Sequence, residues 1–490
     1  HQRFLSMVRL LFKTCKSFLI ISLIGGGGVG KSFLINLVKM WAEYILRKPG
    51  DHPLKPKVLL LGPTGMAANL IGTYFQMNWS KLLNKIIFLK GGTTLHTGLG
   101  FKFGAKQYLP LKDARLESYR STFEELELII MDEASMIPAD RLYDVNRRLQ
   151  EIMVSHDPFG GRAVMLVGDL MQLPPVRAQQ IFLKPFNKKY HSLWASEDNL
   201  WNNFLKVTLL VNFRQGISRL TECFNRIRIG DVSQEDKDLL ESRRLSNFPE
   251  LKQNMACHVF YRNEDVNSYN HKMLNSIDSE LIEIQAECLY PRHYKPELTA
   301  HGTVEDTPFV KDLQLKKGAR VFLTFNISLT DSLINGMVGT VLDFVFNGSK
   351  VKAVIVQFDN EDVGREQRRQ HLSDCKNHEN GIPIYRTSLE HSLRGKHGAR
   401  GKVTQFALRL SWASTCHRLQ GSTIAKGSNL IVHGFKRIPR NMYYVMLSRA
   451  SCLENIYLDE DVDLDKMLCD TTALNEKIRI DEASLVYTNL

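Results

Sequence analysis

The stretch Gly25-Gly-Gly-Gly-Val29-Gly30-Lys31-Ser32 follows the apolar run Phe18–Ile24 and leads into an amphipathic segment from Phe33, giving strand, glycine loop and helix in succession. It fits the pattern G-x-x-x-x-G-K-[ST], in which the chain curls until successive backbone N–H groups face inward, a path that side chains larger than hydrogen obstruct. Gly25, Gly28, Val29 and Gly30 would cradle phosphate oxygens, Lys31 would meet the β- and γ-phosphates, and the Ser32 hydroxyl would ligate Mg²⁺. An ordinary glycine-rich turn is the plainer alternative, but it leaves the fitting flanks unexplained. The loop implies an α/β protein that binds ATP or a similar nucleoside triphosphate.

Working outward, Val58–Gly62 and Leu126–Met131 read as further strands, the second ending in Asp132-Glu133. Nucleotide hydrolysis wants two carboxylates at such a place: Asp132 to hold hydrated Mg²⁺ opposite Ser32, and Glu133 to orient and deprotonate the attacking water. A lone acidic pair after a strand can equally cap a helix; behind a phosphate loop it points to hydrolysis. A fourth strand, Ala163–Val167, delivers Gly168-Asp-Leu-Met-Gln172. There Gln172 can hydrogen-bond a γ-phosphate and register its loss, or serve merely as part of a turn. Strands alternating with helices, with chemistry at their carboxyl ends, describe a parallel sheet.

Bulk properties narrow the partner. The 490 residues suggest two to four domains, and 43% hydrophobic composition is enough for ordinary cores. Sixty-four Lys and Arg against 52 Asp and Glu leave a formal charge of +12, a balance that favours a polyanion such as nucleic acid. Eight scattered cysteines with no C-x-x-C pair argue against a disulfide framework and for a reducing compartment. His371, Cys375 and His378 have a spacing that zinc could use but lack an evident fourth ligand, so the segment reads as a solvated loop. The run Phe18–Ile24 ends in the phosphate loop, which makes it a core strand rather than a secretion signal, and no segment reaches the roughly 20 apolar residues that span a bilayer. A second glycine-rich stretch, Gly395–Lys402, has the wrong glycine spacing, and Val403 stands where the hydroxyl residue is needed.

The phrases GPTGMAA (62–68), TTLH (93–96), GDLMQLPPV (168–176), NFRQ (212–215), LINGMVGTV (333–341), STCHRLQGST (414–423) and YYVMLSRA (443–450), in this order, resemble the helicase motifs of superfamily one, in its RecD and Pif branch. MDEASM (131–136) and QFDNEDVG (357–364) look most like the animal Pif-type helicases associated with Helitron rolling-circle transposons. The resemblance implies two RecA-like P-loop NTPase domains with parallel sheets and a small β-barrel of Src-homology type inserted in the second. The first domain would occupy 1–195, the second 196–316 and 403–490, and the barrel 317–402, in which the charged stretch Glu361–Lys402 would be a basic, mobile loop near DNA. Strands Val338–Phe346 and Val351–Phe358 around Asn347-Gly348 support a hairpin there.

The same resemblance casts Gln2 as the adenine-reading glutamine and Arg214 and Arg449 as arginine fingers that join Lys31, Glu133 and Gln172 in catalysis. It places Thr64, Thr94, His96, Thr415, His417 and Arg418 along the path of a single strand, where hydroxyls and backbone amides can hold phosphates without reading bases. It implies an ATP-dependent DNA helicase using ATP and Mg²⁺ on single-stranded and tailed duplex DNA. Travel would be 5′ to 3′, as a monomer, in the nucleus or alternatively the mitochondrion, in the service of repair, recombination, telomere maintenance or transposition. No histidine forms a His-x-His pair, so the nicking chemistry of complete Helitron proteins is not expected in this chain; a rolling-circle nuclease domain would lie upstream or act in trans. The chain begins at His1, which suggests a fragment.

One departure is large. Residues 73–91 interrupt a phrase that would otherwise run from Ile71-Gly72 into Gly92-Thr-Thr-Leu-His96. The insertion, rich in Phe, Tyr, Ile, Asn and Lys, reads as an unspliced in-frame intron in preference to a wedge. Two other readings stay open beside the motor: a non-unwinding nucleic-acid clamp or decayed transposon relic, and an RNA helicase.

Overall fold

The computed structural model describes residues 20–52, 55–63, 92–101, 107–216, 218–251, 256–299, 302–304, 307–328, 331–393, 399–420, 424, 427–434, 438 and 442–485. Gln2, Thr64 and the insertion 73–91 lie outside them. The chain divides into two compact units, the first made of 1–244, 419–427 and 435–490, the second of 245–418 and 428–434.

The first unit is built on a six-stranded parallel sheet. Its strands are β1 (Ile20–Gly25), β2 (Val58–Gly62), β3 (Thr93–Thr94), β4 (Leu128–Met131), β5 (Ala163–Gly168) and β6 (Leu205–Leu209), in the order β3-β2-β4-β5-β1-β6. Successive side chains on a strand face opposite ways, and here both faces are covered. Leu23, Leu60, Ile130, Met165 and Val167 pack with Leu34, Ile35 and Val38 of helix α1 (Lys31–Leu46). Ile24, Leu61, Ile129, Met131 and Leu166 pack with Leu142, Val145 and Leu149 of helix α2 (Ala139–Met153). Burial on both faces explains why these strands are continuous apolar runs instead of alternating ones. Further helices of the unit include α3 (Arg219–Ile229) and, later in the chain, α5 (Met442–Leu447) and α6 (Thr471–Leu485).

Among the described residues the expected strands are all present, with ends displaced by at most two residues. The expected domain limit at 195 put 196–244 and 435–490 in the second RecA-like domain; by contacts these residues group with the first unit, and β6 pairs with β1 from Leu205 to Leu209.

The second unit holds a parallel set, β17 (Ala413–Thr415), β7 (Cys257–Phe260) and β18 (Leu430–Val432), with β7 in the centre. Helix α4 (Asn263–Asn275) is tied to it through Asn270, whose Oδ1 accepts from the Trp412 and Ala413 amides, both at 2.9 Å. A seven-stranded antiparallel sheet follows the order β16-β11-β12-β13-β14-β15-β9. These are β9 (Glu287–Leu289), β11 (Arg320–Leu323), β12 (Val338–Asn347), β13 (Lys350–Phe358), β14 (Ile382–Ser392), β15 (Arg400–Phe406) and β16 (Leu408–Leu410); β8 (Ile282–Gln285) and β10 (Asp312–Leu315) pair separately. The β12–β13 hairpin forms as expected: Asn347 pairs with Lys350, and Gly348 takes φ +61° in the two-residue turn, a conformation that glycine adopts at little cost.

The charged stretch 361–402, expected as a mobile basic loop, instead contains a short helix (Arg365–Gln370), all of β14 and the first residues of β15. Charge misled here. Ile382, Pro383 and Ile384 form a short buried apolar run at the start of β14, which pairs with β13. Cys375 is buried with its thiol directed at the His371 and Leu372 carbonyls, while His378 meets Asp343 at 3.1 Å, so the triplet considered for zinc is directed to separate partners. No helix of the described residues is long and apolar enough to cross a membrane.

Candidate nucleotide site and strand-binding residues

The loop between β1 and α1 has the backbone that its glycines foretell. Gly28 and Gly30 sit at φ +84° and +82°, and a Cβ on Gly28 would lie 2.6 Å from Asn212 Oδ1 and the Arg214 Cβ. Lys31 at the helix start donates from Nζ to the carbonyls of Gly25 (2.9 Å) and Gly26 (2.7 Å). Burial pushes its pKa below the usual lysine value, while the carboxylates of Asp169, Glu133 and Asp132 pull the other way. Ser32 is exposed.

Three acids gather where β4 and β5 end. Asp132 and Glu133 are each 7% exposed, and Asp169 is fully buried. Burial, then the neighbouring Glu133, push Asp132 up to about 7. Its Oδ1 accepts from the Glu133 amide at 2.8 Å, and Glu133 itself holds φ +51°, an uncommon conformation for a non-glycine residue. Asp169 behaves oppositely: burial opposes its charge, but Arg228 and Lys31 outweigh that and keep it below the ordinary carboxylate value. Arg228, near the end of α3, donates twice to Asp169 Oδ1, from Nε at 3.2 Å and from Nη2 at 2.7 Å.

Two buried glutamines complete the polar cluster. Gln172 directs Nε2 to Asp169 Oδ2 at 3.4 Å, and Gln420 donates from Nε2 to Glu133 Oε2 at 3.0 Å. Neither side-chain oxygen finds a hydrogen-bond partner among the described residues. Buried acceptors of this kind are rare unless a water or ligand donates to them.

The two candidate arginine fingers lie in the same unit as the loop. Arg449 is 2% exposed; its Nε donates to the Val445 carbonyl and its Nη2 to Ser448 Oγ. A Cβ on Gly27 would come 3.5 Å from that Nη2. Arg214 donates from Nη1 to the Ser448 carbonyl at 2.6 Å, and Asn212 Nδ2 donates to the Gly27 carbonyl at 3.1 Å. Tyr444, one turn before Ser448, places its hydroxyl 2.6 Å from the Gly27 amide, which donates to it. Burial raises the Tyr444 phenol to about 12, so it stays neutral.

Of the residues read from sequence, the first unit thus brings Lys31, Asp132, Glu133, Gln172, Arg214 and Arg449 to the phosphate loop or to the cluster that faces Lys31. Arg228, Tyr444, Gln420 and Asp169 were not singled out. Tyr444, Gln420 and Asp169 stand inside quoted phrases, whereas Arg228 lies in a helix with no motif signal.

The strand-path candidates fall into two groups. Thr94 caps a short helix, its Oγ1 accepting from the Thr97 amide at 3.2 Å, and His96 is shifted below the usual histidine value by burial and by Arg141. In the second unit, Thr415 and Arg418 line a cavity of about 320 Å³ with Arg409, Asn267 and Phe322. Burial, then Arg409, push the Arg418 guanidinium down to about 9. Its guanidinium lies over the Phe322 ring, and no carboxylate among the described residues offsets its charge or that of Arg409. Two uncompensated cations beside a cavity suit an anion. His417 is partly buried next to them and shifted down by that burial.

Comparison with known proteins bears on this site. Residues 85–237 match the model of the PIF1-like helicase family. The chain is 26% identical over 456 residues to the ATP-dependent DNA helicase Pif1 of Campylobacter jejuni, covering 88% of this chain and 86% of that protein. It is 27% identical over 335 residues to the ATP-dependent DNA helicase RRM3 of Saccharomyces cerevisiae, covering 67% of this chain but only 40% of the yeast protein's length. The crystal structure of Bacteroides Pif1 bound to single-stranded DNA superposes with a TM-score of 0.68 at 23% identity, over 98% of this chain and 96% of that one. Pif1 of Candida albicans gives 0.69 at 20% identity, over 97% and 98%. These two likenesses establish the PIF1-like helicase fold with its parallel-sheet α/β domains.

Proposed function

We propose that this chain is an ATP-driven DNA motor that moves along a single strand and separates duplex ahead of it. The observation that carries the reading is the buried cluster in the first unit: a phosphate loop with Lys31, the acids Asp132, Glu133 and Asp169 around it, and two buried glutamine oxygens lacking donors among the described residues. Such a cluster is costly unless it serves chemistry. The matched relatives, named ATP-dependent DNA helicases, support the same reading.

In this reading Lys31 leaves the Gly25 and Gly26 carbonyls for the β- and γ-phosphates, and the loop amides supply the remaining donors. Glu133 takes a proton from the attacking water, and Gln172 contacts the γ-phosphate. Arg214 and Arg449 offset charge that develops on the transferring phosphoryl group. Mg²⁺ fits the donor set: Ser32 is exposed beside the loop, and Asp132 is a buried carboxyl that a cation would relieve of its proton. The ion, when bound, would neutralise phosphate charge. Thr94, His96, Thr415, His417 and Arg418 are assigned to the strand. The 5′ to 3′ direction, the Helitron-associated branch, action as a monomer and a nuclear location rest on the family resemblance, as does reading 317–402 as an inserted barrel.

The test is strand displacement on matched DNA and RNA duplexes carrying a 5′ or a 3′ tail, with ATP and Mg²⁺. Separation of the 5′-tailed DNA substrate is expected. Binding without separation on every substrate supports the clamp, and preference for the RNA duplex supports the RNA helicase.

A further inference from the structure

Gln420 occupies an unusual position. It is 4% exposed, its amide N–H group holds one oxygen of Glu133 at 3.0 Å, and its own oxygen is buried without a donor among the described residues. Glu133 is constrained on its other side too, by φ +51° and by the bond from its amide to Asp132. A carboxylate with one oxygen fixed in this way has the other, Oε1, left to receive a proton. An amide oxygen can only accept, so what is missing at Gln420 is a donor. A single water within reach of both groups would direct one hydrogen to Glu133 and the other to Gln420 Oε1. Its lone pairs would then face away from both, as an in-line nucleophile requires.

We propose that Gln420 is a positioning residue for hydrolysis: it fixes Glu133 and gives the attacking water a second acceptor. The proposal rests on the motor reading above. In the step it serves, a lone pair of the water oxygen forms the bond to the γ-phosphorus while the bond from that phosphorus to the β–γ bridging oxygen breaks, its electron pair leaving with ADP. One water proton passes to the Glu133 carboxylate, which later returns it to solvent. The other stays on the new phosphate oxygen, facing Gln420. Nothing is oxidised or reduced.

The experiment compares the full chain with its Gln420→Met and Gln420→Leu variants, which keep the bulk and remove the amide. Steady-state ATP hydrolysis is measured with and without an oligothymidylate, together with the KM for ATP and the affinity for the same oligonucleotide. The expected result is a fall of about 10- to 100-fold in DNA-stimulated kcat, the scale of a lost orienting contact, with KM and oligonucleotide affinity within about twofold of the wild type. A wild-type kcat in either variant overturns the proposal, and so does a parallel loss of ATP affinity, which would mark a structural role. A wild-type chain without DNA-stimulated hydrolysis overturns the motor reading itself, and the wild-type measurement alone reveals that case.

Discussion

Replacing Arg228 by Met should destabilise the first unit more than any surface change could. Asp169 is fully buried, and Arg228, only 12% exposed, donates both of its hydrogen bonds to the single oxygen Oδ1. Without the guanidinium, that carboxylate retains the Met171 amide at 3.2 Å, a long contact from Gln172 at 3.4 Å, and the field of Lys31. Removing one partner of a buried pair costs about 3–5 kcal/mol, because the remaining charge stays desolvated. Lys31 as a second cation places the expectation at the lower end, about 3 kcal/mol, or roughly a 150-fold change in the folded-to-unfolded ratio. Urea unfolding followed by tryptophan fluorescence suits the question, since Trp201 is buried in the core of the same unit. The double variant Arg228→Met/Asp169→Asn should recover most of the loss, since no charge is then stranded. A single variant within 1 kcal/mol of the wild type, or a double variant that costs the sum of the two singles, would refute the buried-pair argument.

Two other outcomes follow from the same site. Tyr444→Phe removes the acceptor that now occupies the Gly27 amide, so ATP should bind about three- to tenfold tighter, the value of one hydrogen bond; weaker binding by calorimetry would mean that Tyr444 helps to hold nucleotide. Asp132, pushed up to about 7 mainly by burial, keeps a proton in the folded chain that the unfolded chain has already released above the ordinary value of 3.8. The folded state therefore binds more protons across that window, and stability contributed by this group falls as pH rises from about 4 to 7 and then levels. Asp132→Asn should flatten the slope and stabilise the protein at pH 8 by about 2–4 kcal/mol; an unchanged slope between pH 5 and 8 would place the proton elsewhere.

What could be read from the sequence was what is local. The phosphate loop, the acids after β4 and Gln172 after β5 each follow their strand within a few residues, so an apolar run and a short phrase locate them. Arg228, Tyr444 and Gln420 reach their partners across 59, 417 and 287 residues, and only the folded chain brings them to the loop. The stretch 361–402 failed for a different reason: its many charges concealed the short buried run Ile382-Pro-Ile384 that opens β14. The first unit extends past residue 195 because β6 completes the sheet beside β1, a pairing that its half-buried residues did not announce.

The most direct measurement of the motor itself is strand separation by Glu133→Gln beside the wild type, on a duplex with a 5′ single-stranded tail. The change keeps size and hydrogen bonding and removes the group that takes the proton from water. Hydrolysis should fall by about 10²- to 10⁴-fold while ATP still binds, because Lys31, Ser32 and Asp132 are unaltered. The variant should hold DNA in one ATP-bound state and leave the duplex intact. Equal strand separation by wild type and variant would contradict the account, since ATP hydrolysis would then not be driving the process.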